Sequence, residues 1–223
     1  MRQELRNNAV LWDMDGVLVD TGDFHFSAWK QTFEELGIPF DKEDFRNTFG
    51  MNNAGILEWV YGRMPEPDEV AKISDKKEFL FRELVRGKAE LLPGVLMWLR
   101  QFQAWEIKQA IASSAPPENI EVLVAELNIG DFFDAIVSGF DLPGKPKPDI
   151  FLKAADILQV RPENCVVIED APSGIQAAKA AGAKCIAVTN STTAENLSGA
   201  DLICDSLEKV NLETIVRLIE KNS

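Results

Sequence analysis

Cations, cysteines and long apolar runs are all scarce in this chain of 223 residues. Lys and Arg number 23 against 36 Asp and Glu, a formal net charge of −13 at pH 7. Such a field repels nucleic acid and anionic membrane surfaces, so no nucleic-acid or membrane partner is expected. Nowhere do the roughly 18 consecutive apolar residues of a membrane-crossing helix run together. The N-terminal stretch MRQELRNNAV also lacks the apolar segment of a signal peptide, and the expectation is a soluble, cytoplasmic protein. Only three cysteines occur, Cys165, Cys185 and Cys204, far apart and inside apolar runs such as NCVVIED and KCIAVTN. An odd and scattered set excludes a disulfide framework and predicts buried free thiols. No internal repeat or low-complexity tract is present.

What the chain does have is alternation. From residue 94 onward short apolar runs alternate with longer helical patterns, the signature of strand, crossover helix and strand in a parallel sheet. The strand candidates are AVLWD, IKQAIAS, AIVSG, CVVIED, KCIAV and LIC. Between them the helix candidates are GVLMWLRQFQ, PENIEVLVAEL, PDIFLKAADIL, SGIQAAKAAG and SLEKVNLETIVRLIE. Pro116, Pro148 and Pro172 stand near helix starts, and Gly182 follows an alanine-rich helix. Residues 22–91 break this pattern, because FHFSAWKQTFEELG and DEVAKISDKKEFLFRELVRG suit amphipathic helices and no comparable strand occurs there. The expected fold is therefore α/β: a Rossmann-like parallel sheet core, 1–21 with 92–223, helices on both of its faces, and a helical insertion, 22–91.

The first strand ends in VLWDMDGVLVDT, which sets Asp13 and Asp15 two residues apart. Side chains alternate along a strand, so both aspartates can project to one side where the strand gives way to its loop. In open α/β sheets ligands sit at that carboxyl end. An ordinary polar turn is the bland alternative. A calcium loop fails, because counting from Asp13 places Val17, Leu18 and Phe24 at its fifth, sixth and twelfth positions. Three further strand ends carry matching chemistry. IASSAP places Ser113 and Ser114 at a helix start, where a hydroxyl and backbone N–H groups suit a phosphate. GKPKPD offers Lys145 on a stiffened loop, and VVIEDAPSG ends an apolar strand with Glu169 and Asp170. Two carboxylates at such a point are costly to bury without a cation, and a hard, oxygen-seeking ion such as Mg²⁺ answers the need.

The joint order of DMDGV, ASS, GKPKP and VIEDAPSG resembles the four motifs of the haloacid dehalogenase superfamily over essentially the whole chain, and DMDGVLVDTGDFHFSAWK looks most like its β-phosphoglucomutase branch. The resemblance implies that the helical insertion, 22–91, is an inserted helical cap domain, that Asp13 attacks phosphorus and that Asp15 serves as general acid and base. It also implies Mg²⁺ on Asp13, the Asp15 main-chain carbonyl and Asp170, with Glu169 in or beside the shell. Ser113, the Ser114 amide and Lys145 would spread the charge of the transferring phosphoryl group. An acid two residues after the nucleophile favours phosphoryl transfer over dehalogenation.

Phosphatases and mutases of this branch differ in the acceptor, which is water or a sugar hydroxyl. After ASS the chain has Ala115 and Pro116 where the mutases are expected to carry a serine and a lysine for a distal phosphate. Asn53 stands where their arginine is expected. The expectation is hydrolysis of a small phosphorylated metabolite, a sugar phosphate, by a monomer. Retention of His25 with SAWK, and Lys72, Lys76 and Lys77 as replacement charge, argue for the mutase. The bland reading of these lysines is a solvated face, and that of Trp29 and Phe33 is cap core. Asn52 and Asn53, in a cap loop beside Gly50 and Gly55, suit sugar hydroxyls as well as ordinary turn chemistry. His25 is likewise either a substrate contact or a packing residue near the hinge. A catalytically silent binding module would have lost Asp13, Asp15, Lys145 or Asp170, and all four are present.

Overall fold

The computed structural model describes residues 7–48 and 50–220. The first six residues of the N-terminal stretch and Phe49 of the FGMNNAG segment lie outside them. Two compact units result, residues 1–20 with 89–223 and residues 21–88. The second junction falls earlier than the expected 91/92 because Leu91 bridges Val19 and the Leu92 N–H donates to the Leu18 carbonyl at 2.9 Å.

Among the described residues of the first unit six strands form one sheet: β1 (Ala9–Trp12), β2 (Lys108–Ser113), β3 (Ala135–Ser138), β4 (Cys165–Glu169), β5 (Lys184–Val188) and β6 (Leu202–Cys204). They are parallel and lie in the order β3-β2-β1-β4-β5-β6. The chain begins in the middle and winds outward in both directions, so the strand order reverses beside β1, where such sheets open a crevice at their carboxyl ends. β1 and β4 are buried at every position, as strands covered on both faces must be, which explains their unbroken apolar sequences.

Alternation along β1 divides the core. Ala9 and Leu11 join Val167, Cys185, Ile150, Phe151 and Ile175 against α7 (Asp149–Leu158) and α8 (Pro172–Ala181). On the opposite face Trp12 meets Phe102 of α5 (Val95–Ala104) edge-on at 6.0 Å and donates from Nε1 to Gln109. Helix α6 (Pro117–Leu127) follows β2, and α9 (Leu212–Glu220) closes the described chain. Cys165 and Cys185 are buried free thiols, whereas Cys204 is half-buried on the edge strand. Burial pushes the Cys165 thiol up to about 12. Among the described residues no helix is long and apolar enough to cross a membrane.

Among the described residues the second unit holds four helices: α1 (Gly22–Glu35), α2 (Lys42–Asn47), α3 (Asn53–Tyr61) and α4 (Pro67–Val85). Its core is Trp29, Phe33, Phe40, Ile56, Leu57 and Ile73. Asn52 and Asn53 do not lie in a loop as expected, because they begin α3. The Asn52 side-chain oxygen accepts the Gly55 N–H at 2.9 Å as the helix N-cap, leaving Asn53 as the first helical residue.

Candidate active site

Asp13 is the first residue beyond β1, and its N–H donates to the Ile168 carbonyl of β4 at 3.0 Å. That bond holds the carboxylate between the ends of β1 and β4. The chain then turns back on itself, with the Gly16 N–H donating to Val19 at 2.8 Å and Asp15 bridging Val19. Asp15 is half-buried in this turn. From the loop before α7 Lys145 reaches across, its Nζ standing 2.5 Å from Asp13 Oδ1 and 2.6 Å from Glu169 Oε1. The same ammonium lies 5.1 Å from the centroid of the Phe151 ring.

Glu169 is 1% exposed and fully engaged, because its Oε2 accepts the N–H groups of Asp170 at 3.0 Å and Ala171 at 3.1 Å. Gly174 makes room for it: a Cβ there would overlap the Glu169 carboxylate. The motif glycine is therefore a matter of volume, inside a helix that would otherwise prefer alanine.

Asp13, Glu169 and Asp170 each offer one oxygen, and these oxygens lie within 4.8 Å of one another, all on buried residues. Burial pushes Asp13 well above the ordinary carboxylate range, against the pull of Lys145, and Glu169 and Asp170 add to the rise. Asp170 is pushed up to about 7 by burial and by its neighbour Glu169. Burial opposes charge on Lys145 too, but Asp13 and Glu169 outweigh it and hold the ammonium firmly protonated. One lysine between three close carboxylates leaves a deficit of positive charge, and the donors are all hard oxygens. The residues present therefore fit a Mg²⁺ ion.

Ser113 ends β2, buried, and its Oγ accepts the Ala115 N–H at 3.1 Å, so the hydroxyl shapes the turn into α6. Ser114 is exposed beside it. The structure thus joins Asp13, Lys145, Glu169 and Asp170 by direct contact or close approach, with Asp15, Ser113 and Ser114 on the loops that leave β1 and β2.

The other three candidates belong to the helical unit. His25 stacks on Phe81 with ring centroids 4.1 Å apart, and its Nδ1 lies 2.9 Å from Lys77 Nζ. An ammonium only donates, so Nδ1 is the acceptor there. Lys77 is no part of a solvated face: it is 3% exposed, paired with Glu78 at 3.0 Å, and lies near the faces of Trp29 and Phe81. Lys72 and Lys76 are exposed, the latter ion-paired with Glu35. Asn53 donates from Nδ2 to Glu78 Oε1 at 2.9 Å. Two residues absent from the sequence reading also touch the acidic loops. Asn190 donates to the Gly16 carbonyl at 2.8 Å, and Ser191 Oγ donates to Asp170 Oδ2. Their only signal in the sequence is the polar tract TNST directly after the apolar run of β5.

The sequence model of the haloacid dehalogenase-like hydrolases matches residues 8–182. The chain belongs to this family. Among curated relatives, the chain is 35% identical over 217 residues to a β-phosphoglucomutase of Bacillus subtilis, with 93% of each chain covered. It is 33% identical over 179 residues to a phosphorylated carbohydrates phosphatase of Thermotoga maritima, covering 78% of this chain and 81% of that one. Among solved structures, CbbY from Rhodobacter sphaeroides in complex with xylulose-(1,5)bisphosphate superposes with a TM-score of 0.84 at 30% identity, covering 92% of this chain and 96% of that one. A phosphatase and a mutase both occur among these haloacid dehalogenase-like relatives, and either activity is consistent with the family.

Proposed function

We propose that the protein is a Mg²⁺-dependent phosphatase that hydrolyses a small sugar phosphate through an aspartyl phosphate on Asp13. The observation that carries this reading is the buried cluster of Asp13, Lys145, Glu169 and Asp170 at the carboxyl ends of β1 and β4. Asp13, Asp170 and the Asp15 main-chain carbonyl would hold the ion. Glu169 stands beside the shell, because Lys145 and two backbone N–H groups already occupy its oxygens. Bound Mg²⁺ supplies the positive charge that lets an anionic carboxylate approach an anionic phosphoryl group.

A carboxylate oxygen of Asp13 forms a bond to phosphorus as the ester P–O bond breaks, and Asp15 donates its proton to the departing sugar oxygen. Asp15, now ionised, takes a proton from water. The oxygen of that water attacks phosphorus, the bond to Asp13 breaks, and inorganic phosphate leaves. Lys145 neutralises Asp13 between turnovers and, with Ser113 and the Ser114 N–H, offers donors to the phosphoryl oxygens.

Water is the favoured acceptor because the groups a second phosphate would need are missing or engaged. Ala115 and Pro116 carry no polar side chain, the Asn53 amide donates to Glu78, and Lys77 is already paired with Glu78 and His25. At about 1.5–3 kcal/mol for each hydrogen bond to a charged group, the shortfall for a bisphosphate is several kcal/mol. The similarity to the Bacillus subtilis β-phosphoglucomutase favours a second reading, a sugar-phosphate mutase with the same first step.

One assay separates the two. The protein is incubated with β-glucose 1-phosphate, Mg²⁺ and a trace of glucose 1,6-bisphosphate, with Asp13→Asn as control. Free phosphate without glucose 6-phosphate supports hydrolysis. Rapid glucose 6-phosphate with little free phosphate establishes the mutase instead.

A further inference from the structure

The tract that follows β5 has no part in the chemistry assigned above, yet two of its side chains reach both acidic loops. Asn190 holds the Gly16 carbonyl at 2.8 Å, and Ser191 holds Asp170 Oδ2. Both residues are solvent-facing, where polar side chains ordinarily turn to water. The contact is tight on every side. Gly16 has φ +79°, and a Cβ on it would overlap Asp170 Oδ2 and stand 2.7 Å from Ser191 Oγ. The backbone of the DMDG turn, the Asp170 carboxylate and the Ser191 hydroxyl therefore pack with no space for a side chain between them. The sheet explains the meeting: β4 and β5 are neighbours, with Glu169 beside Ala187, so the loops leaving them run side by side.

We propose that Asn190 and Ser191 are positioning residues for the metal-binding acids, Ser191 fixing the rotation of the Asp170 carboxylate and Asn190 fixing the turn that carries Asp15 and Gly16. The inference rests on the reading of Asp170 as a Mg²⁺ ligand. An ionised carboxylate has about four lone-pair sites, so one hydroxyl donor leaves acceptor capacity for a cation while stopping the group from rotating. Outer hydrogen bonds of this kind orient the ligands that touch a metal, and their loss typically weakens metal binding by about 10–100-fold. A surface serine with no such duty could be replaced by alanine without altering Mg²⁺ affinity.

Isothermal titration of Mg²⁺ into the full-length wild type, Ser191→Ala, Ser191→Thr, Asn190→Ala and Asp170→Asn tests this, with each melting temperature measured in EDTA as a check on folding. The expected result is a Kd raised by on the order of 10-fold or more in Ser191→Ala, restored in Ser191→Thr, and raised by a smaller factor in Asn190→Ala. Melting temperatures in EDTA stay together. Should Ser191→Ala fail to fold, Ser191→Cys, a weak donor of similar size, carries the same comparison. Equal affinities for wild type and Ser191→Ala, alongside lost binding in Asp170→Asn, overturn the inference and leave the metal site standing. Undiminished binding by Asp170→Asn overturns the metal reading and the inference with it.

Discussion

Gly174 and Lys145 govern the same carboxylate from opposite sides. A methyl group on Gly174 would strike the Glu169 carboxylate, and that group has nowhere to go, held by Lys145 on one oxygen and by two N–H groups on the other. Gly174→Ala is expected to cost about 1–3 kcal/mol, as overpacking does, measured as a fall in the urea midpoint at constant m. Lys145→Ala leaves Asp13 and Glu169 buried without their cation, which in other buried pairs costs about 3–5 kcal/mol. Urea denaturation in EDTA reads that loss directly. The acids were legible in the sequence because each ends an apolar run in a fixed order of motifs. Asn190 and Ser191 were not, since TNST after a strand looks like any polar turn. Lys77 was misread for a similar reason: lysine is usually exposed, and its partner His25 lies 52 residues away.

Elements owe their boundaries to local chemistry that the sequence carries unevenly. The run SLEKVNLETIVRLIE reads as one helix but is two pieces. Ser206 starts a short turn, Val210 is extended, and Asn211 accepts the Thr214 N–H at 2.9 Å to begin α9. Helix α3 went unread because its nine residues are too few for clear periodicity, although Asn52 is a favourable cap. Asn52→Ala is expected to lower stability by about 1 kcal/mol, seen as earlier unfolding in urea. Asp201 ties α8 to β5, accepting from Lys179 Nζ and the Cys185 N–H, each at 2.8 Å. Burial opposes its charge, but the bond from Lys179 and that from the Cys185 N–H prevail and hold its pKa below the ordinary value. The stability it supplies is complete above the unfolded-chain value near 3.9 and disappears as pH falls through the lower folded value. Asp201→Asn should therefore cost about 1 kcal/mol at pH 7, with the gap to wild type closing as the pH drops below about 4. Urea midpoints measured across that acid range follow the change.

At the scale of the whole molecule the parallel order of the strands brings together loops that lie far apart in the sequence, and the buried site they build is dominated by acids. The alternation of apolar runs and helical patterns was enough to read this architecture, because a doubly wound sheet needs continuous apolar strands. The substrate was not legible, because a net charge of −13 repels polyanions without choosing among small phosphate esters. Mg²⁺ at about 100 times its Kd is expected to stabilise the wild type by about 2.7 kcal/mol and to leave Asp170→Asn unchanged, read as the shift in the urea midpoint.

The covalent step is tested most directly by acid-quenching the enzyme during turnover of p-nitrophenyl phosphate with Mg²⁺ and mapping the protein by peptide mass spectrometry. A peptide containing Asp13 that gains the mass of one phosphoryl group, absent in EDTA and absent in Asp13→Asn, is the predicted result. Phosphate release by Asp13→Asn at the wild-type rate, or a phosphoryl group carried on another residue, would contradict it.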